Sequence, residues 1–381
     1  MQTKPLSGLN RWAVPAAGTL IAAAAVVAYH NSLSGPFLFD DRLSIRDNPT
    51  IRQLWPLWGA LAPPSGRGLT VEGRPVLNLS FAVNYAIGGT QVWSYHALNL
   101  LIHVLAGLTL FGIVRRTLAG RTRATDCAFM VALLWTVHPV QTESVTYVVQ
   151  RAESLMGLFY LFTLYAFIRA TEPGARVGWA ALAVSSCLLG MATKEVMVSA
   201  PLIVFLYDRT FVSASFRGAW RRHRGLHLAL ASTWIVLAWL AAGAGNRGGT
   251  SGAGIGVGAL TYWESQFQAV ARYLWLSVYP QPLIFDYGTE WPQSAWQIVP
   301  DAVVVAGPAR LRRDGIGVEV PIPERLRHLE FPPCSPRTAA AGPRASLAVD
   351  TPQRRGQAAR YMAVNNESVA KEDRRGRGLR P

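Results

Sequence analysis

Apolar runs separated by short polar segments fill the chain up to about Gly307. The first, about Trp12 to Tyr29, follows Lys4 and Arg11, a positive start and apolar middle that a secretory signal and a first transmembrane helix share. Its length and the number of later runs favour an uncleaved helix. Further runs lie at about 96–114, 127–138, 154–168, 178–193, 195–207 and 226–244, with an eighth, more amphipathic one at 262–280. Several are shorter than the ~20 residues that a perpendicular crossing needs, which predicts tilted, broken or re-entrant segments. The pattern predicts an all-α fold, a polytopic membrane helix bundle of about 7–8 spans, occupying residues 1–306.

Polar positions then set the orientation, because Lys and Arg accumulate in cytoplasmic loops. Arg115, Arg116, Arg121 and Arg123 follow the second run, and Arg217, Arg221, Arg222 and Arg224 precede the seventh. Both clusters belong inside if the amino terminus does, which puts residues 30–95, 139–153 and 245–260 outside. The expected location is the cell membrane, multi-pass, and the inner membrane if the host is Gram-negative. Residues 30–95 are too long for a mere connection and carry Trp55, Trp58, Phe81, Tyr85 and Trp93, so short helices along the membrane surface are expected there. Residues 245–258 read as a flexible loop.

Composition agrees. Half of the 381 residues are hydrophobic and only 15% are charged, and the mean hydropathy is positive, too oily for an ordinary soluble globule. The net charge of +15 is distributed as inter-span clusters and a tail, with no aromatic-and-basic recognition motif, so no nucleic-acid partner is expected; the bilayer is. Residues 308–381 hold 15 Lys or Arg against 8 Asp or Glu and show no countable period. The segment 307–381 therefore reads as a basic disordered tail. Cys127, Cys187 and Cys334 form no CxxC pair, which supports neither a disulfide framework nor a zinc site; the first two read as core filler.

Candidate chemistry concentrates on the outer side. FLFDDRLSIRDNP places Asp40 and Asp41 just beyond the first helix, where an uncompensated carboxylate is costly. HPVQTESVTYVVQRAES adds His138, Glu143, Arg151 and Glu153, with Pro139 breaking the third span. If a helix restarts after Pro139, Glu143, Tyr147 and Arg151 share one face; that stripe lines a pocket or seals the bundle by interhelical hydrogen bonds. His96, Asn99 and His103 share a face of the second span, where interhelical bonding is the more frequent use and no third metal ligand is visible. Lys194 and Glu195 mark an outer boundary between spans, as a local ion pair or a substrate contact.

In order, FDD with a following DNP, RPVLNLSFAVNY (Arg74 to Tyr85), HALNLLIH (His96 to His103), HPVQTESVTYVVQRAES (His138 to Ser154) and TKEVMVSAPLIVFLYDR (Thr193 to Arg209) resemble the membrane domain of the transmembrane and tetratricopeptide-repeat-containing proteins. These are relatives of protein O-mannosyltransferases among the type-C glycosyltransferases. The resemblance covers about residues 30–290 and implies an inverting enzyme that moves a sugar, often mannose, from a polyprenyl-phosphate donor to a hydroxyl of a protein acceptor outside the cytoplasm. It implies an acidic catalytic residue in the first outer loop, which Asp40 or Asp41 matches. A carboxylate there takes the proton of the acceptor hydroxyl, and the leaving phosphate needs positive compensation, for which Arg151 and, secondarily, Arg74 are the candidates. Asp40 is then the base while Asp41 orients the acceptor or holds a divalent cation, or the two roles are reversed; alternatively the pair only marks the helix end.

The chain departs from the family in two ways: it has fewer spans, and no repeat of about 34 residues follows Gly307. The change to an Arg- and Pro-rich tail reads as a truncated or frame-shifted product. The competing expectations are an inactive truncated relative or non-catalytic membrane scaffold, and a transporter, which needs acids deeper in its spans than this sequence provides.

Overall fold

A computed structural model describes residues 10–65, 69–244, 258–285, 287, 291–292 and 294–311, all within one compact unit, Met1–Gly317. The expected flexible loop at 245–258, apart from Gly258, and the tail beyond residue 311 lie outside the described residues. Every regular element among the described residues is helical.

The α-helices are α1 Asn10–Tyr29, α2 Leu57–Leu61, α3 Pro75–Gly88, α4 Val92–Thr117, α5 Ala124–Val137, α6 Thr142–Thr146, α7 Arg151–Thr171, α8 Gly178–Met191, α9 Ala200–Tyr207, α10 Phe216–Ala244, α11 Ala259–Leu276 and α12 Ala295–Leu311. The last runs past the expected boundary at 306/307. In the bundle, α4 packs against α1, α5 and α7; α8 packs on α7, and α10 covers α8 and α9. The cores between them are made by Ile21, Phe111 and Ala132 at one junction and by Phe167, Met191, Met197 and Leu230 at another.

Among the described residues, four helical stretches are long and apolar enough to cross a membrane: Trp12–Ser34, Val92–Thr117, Val148–Thr171 and Phe216–Ala244. Three of them keep exposed large apolar side chains on their outer surface, such as Val27, Leu101, Ile235 and Trp239, and the apolar side chains of Val148–Thr171 are buried or half-buried. In water that surface would be a liability; against lipid it is the expected exterior, and the chain is a membrane protein. Helices α5 and α8 have 14 residues each, about 21 Å of rise, short of the ~30 Å hydrocarbon thickness. The run at 195–207 is not one α-helix: a 3-10 turn (Glu195–Ser199) leads into α9, and a π-helical turn (Asp208–Val212) follows it.

Residues 30–95 do contain short helices, and they fold into a cap with its own core. Ile45, Ile51, Ala60, Val71, Leu77 and Phe81 pack together with Tyr95 from α4 and with Val148 and Ala152 at the start of α7. Pro75 opens α3, where its missing N–H has no partner to lose, and Gly89 closes it at φ 58°. Cys187 is buried, but Cys127 is exposed, so the expectation of core filler fails there: α5 turns that residue away from α1 and α4.

Candidate functional site

The outer site starts from a turn. Phe39 sits at φ 40°, a left-handed conformation that a bulky residue adopts only when its surroundings impose it. The next two residues diverge: Asp40 is exposed, whereas Asp41 is 1% exposed. Asp41 spends both carboxylate oxygens on the backbone, accepting the Leu38 N–H at 3.0 Å and the Val149 N–H at 2.7 Å. It thereby ties the first loop to the start of α7. Burial pushes its carboxyl up to about 6, although both amide bonds pull the other way.

Asp40 is held from two sides. Its backbone N–H donates to the Tyr147 hydroxyl at 3.0 Å, and its carboxylate accepts the Thr70 hydroxyl at 3.1 Å. Burial pushes the Tyr147 phenol above its ordinary range, keeping it a neutral hydroxyl. Phe39 stacks on Phe285 with ring centroids 5.0 Å apart, and Phe285 also meets Tyr147 at 5.0 Å, edge to face. An aromatic ledge thus flanks the exposed carboxylate.

Thr70 extends the site towards positive charge, because its carbonyl accepts from Arg74 Nη1 at 2.8 Å. Arg74 also pairs with Glu195 at 2.9 Å, and Lys194 pairs with Glu153. Burial lowers the Arg74 guanidinium, and the nearby Glu153 charge partly restores it. Two ion pairs, brought from the start of α3, the start of α7 and the turn before α9, thus gather around Arg74, which reaches Asp40 through Thr70.

The remaining sequence candidates fall elsewhere. The helix expected to carry Glu143, Tyr147 and Arg151 on one face is broken: α6 ends at Thr146, Tyr147 is extended (φ −88°, ψ 113°), and α7 begins at Arg151. The β-branched pair Val148 and Val149 buries itself in the cap core, which pulls the backbone out of helix and costs the shared face. Glu143 stays exposed and accepts from Gln150 at 3.2 Å. Arg151 is 0% exposed; it donates to Asn99 Oδ1 at 2.6 Å, the Ser80 carbonyl at 3.1 Å and the Tyr95 carbonyl at 3.0 Å, and lies over the Phe81 ring. It clamps α3, α4 and α7 together, with no donor edge open to an incoming phosphate.

His138 caps the turn after α5, its Nδ1 accepting the Val140 N–H. His96 meets the Gly35 carbonyl at 3.2 Å, Asn99 donates to the Val145 and Val148 carbonyls, and His103 meets the Thr136 carbonyl at 2.8 Å. That constellation is interhelical bonding. The sequence reading missed Thr70, Phe39 and Phe285 as site residues; only the repetition of a phenylalanine directly before an aspartate hinted at the last two.

Comparison with known proteins follows this geometry. No protein-family model matches the chain, and no solved structure does. Human protein O-mannosyl-transferase TMTC3 is 30% identical over 200 residues, 50% of this chain and 21% of that protein. Human protein O-mannosyl-transferase TMTC2 is 29% identical over 301 residues, 71% of this chain and 35% of that protein. Mouse protein O-mannosyl-transferase TMTC1 is 35% identical over 179 residues, 45% of this chain and 18% of that protein. The chain thus spans between 18% and 35% of the length of these three relatives. Over the matched segments the chain is similar to the TMTC protein O-mannosyl-transferases.

Proposed function

We propose that the chain is an inverting sugar transferase, moving mannose from a polyprenyl-phosphate donor to a Ser or Thr hydroxyl of a protein on the outer face of the cell membrane. The carrying observation is the division of labour between adjacent carboxylates: Asp41 is buried and fixes the turn, while Asp40 is exposed and oriented by Thr70 and Tyr147. The names of the relatives supply the sugar and the protein acceptor. Of the 7–8 crossings expected, α1, α4, α5, α7, α8, the segment through α9 and α10 are read as seven, while the amphipathic α11 stays at the outer face, since Phe285 just beyond it meets Phe39 and Tyr147.

In this mechanism the acceptor hydroxyl attacks the anomeric carbon, Asp40 takes its proton, and the polyprenyl phosphate leaves with the bonding electron pair. Asp41 orients instead of reacting. Arg74 replaces Arg151 as the group that meets the leaving phosphate, because Thr70 links it to Asp40 while Arg151 is 0% exposed with each of its three nitrogens hydrogen-bonded inside. A phosphate arriving there competes with Glu195 for the guanidinium, and with Glu153 for Lys194. The ledge of Phe39 and Phe285 offers an apolar face to the donor.

The test is sugar transfer by membranes containing the chain, supplied with polyprenyl-phosphate mannose. Asp40→Asn is expected to lower transfer by about 10²–10⁴-fold with unchanged membrane insertion. Full activity in that variant overturns the assignment.

A further inference from the structure

Away from the outer site, at the end of α9 remote from Lys194, three other side chains converge. RRHRGLHL places His223 and His227 four residues apart, on one face of α10. That helix is kinked at His223 (φ −124°, ψ 20°), and Asp208 opens the π-helical turn after α9, a local geometry often found at functional sites. Asp208 is 0% exposed. One of its oxygens, Oδ2, meets both His223 Nδ1 and His227 Nε2 at 2.8 Å, and the other accepts the Ser213 hydroxyl at 2.7 Å. The three potential ligand atoms lie within 4.8 Å of one another.

A buried carboxylate needs compensation. Two imidazole N–H groups supply it as the side chains now stand, and the hydrogen bonds leave Asp208 below the ordinary carboxylate range even though burial, the largest single influence, pushes it up. The same three atoms are equally a two-histidine, one-carboxylate ligand set, the donor chemistry of zinc sites with an open position. We propose that Asp208, His223 and His227 bind a divalent transition-metal ion, zinc by ligand type, independently of the sugar-transfer site.

Four features carry this. Imidazole nitrogens select zinc over magnesium or calcium. Ser213 holds the second carboxylate oxygen, as the outer partner of a ligating carboxylate does. Phe205 and Phe167 pack on the His227 ring at 4.9 and 5.5 Å, fixing its plane within an apolar wall. His227 Nδ1 is buried with no hydrogen-bond partner among the described residues, so nothing locks the proton on Nε2, and the ring can turn a lone pair inward by changing tautomer. Metal bonds of ~2.0–2.2 Å at tetrahedral angles put ligand atoms about 3.4 Å apart, so the Asp208 oxygen and each histidine nitrogen, now at 2.8 Å, need to separate by only about half an ångström, and the two nitrogens already lie within 4.8 Å of each other. The His223 side chain is 23% exposed, which leaves a fourth position open to water.

The test uses the full chain purified in detergent through a tag without histidines, stripped with a chelator and then titrated with Zn²⁺ or Co²⁺. The expected result is about one Zn²⁺ retained per chain after dialysis, a visible Co²⁺ d–d spectrum, and a melting temperature raised by Zn²⁺. His223→Ala, at the partly exposed ligand, should fold and bind Zn²⁺ at least tenfold more weakly, with the spectrum and the thermal shift lost. Should His227→Ala fail to fold, Asp208→Asn and His223→Gln serve as the second and third variants. Retention well below one Zn²⁺ per chain, or equal retention in His223→Ala, overturns the proposal and leaves the cluster a hydrogen-bonded cap.

Discussion

Asp40 and Asp41 share a sequence position to within one residue and differ in almost every physical respect. The exposed one has a hydroxyl on its carboxylate; the buried one holds two amides. The second carries a pH signature. Its folded value of about 6 lies above the ordinary 3.8, so the native state holds the proton more tightly than the unfolded chain. That contribution to stability is complete below about pH 4 and is lost as pH rises through 6, a loss of about 3 kcal/mol by linkage. Thermal melts in detergent should therefore show wild type losing stability between pH 4 and 6 relative to Asp41→Asn and running parallel to it above pH 7. A gain over that window would refute the buried, proton-holding state. Arg151 belongs at this scale too. Arg151→Met leaves Asn99 Oδ1 and the carbonyls of Ser80 and Tyr95 without their donor, and on the order of 3 kcal/mol of destabilisation is expected in denaturant titrations. Arg151→Lys should rescue little, since one ammonium does not reproduce a planar fork spread over three acceptors.

Among elements, close helix approach decides what the bundle tolerates. A Cβ at Gly107 of α4 would stand 2.4 Å from Thr136 Oγ1 of α5 and 3.4 Å from Ile21 of α1. Small residues at such crossings let backbones meet where no water-driven hydrophobic force exists to pull helices together. Gly107→Leu should thus separate α4 from both neighbours and lower the melting temperature by several degrees. Gly107→Ala should be partly rescued by Thr136→Ala, since that removes the opposing hydroxyl; equal melting of the single and double variants would place the crossing elsewhere. The break between α6 and α7 is the other decisive element. It was invisible to helical spacing because spacing arguments assume continuity, and the assumption failed where Val148 and Val149 found a buried site in the cap.

For the whole molecule, the charge pattern and the site make a joint claim about sidedness. With native cysteines removed, a single cysteine at Asp47 should react with a membrane-impermeant maleimide from outside, and one at Arg221 only after permeabilisation. The reverse pattern would put Asp40 on the cytoplasmic side and exclude transfer to an exported acceptor.

Periodicity and composition by themselves determined the helical class, the membrane and the ends of several helices, because apolar length and proline placement are local properties that survive without knowledge of neighbours. The sequence also made Asp40 and Asp41 conspicuous, since paired acids beside an apolar run need compensation. It did not separate them, nor did it reveal that Arg151 is a buried clamp while Arg74 stands beside the exposed carboxylate. Those distinctions depend on which backbone amides and hydroxyls arrive from residues far along the chain: Val149 at Asp41, Thr70 and Tyr147 at Asp40, Asn99 at Arg151. Burial and hydrogen-bond partnership are properties of the packed bundle, and the tertiary structure alone decided them.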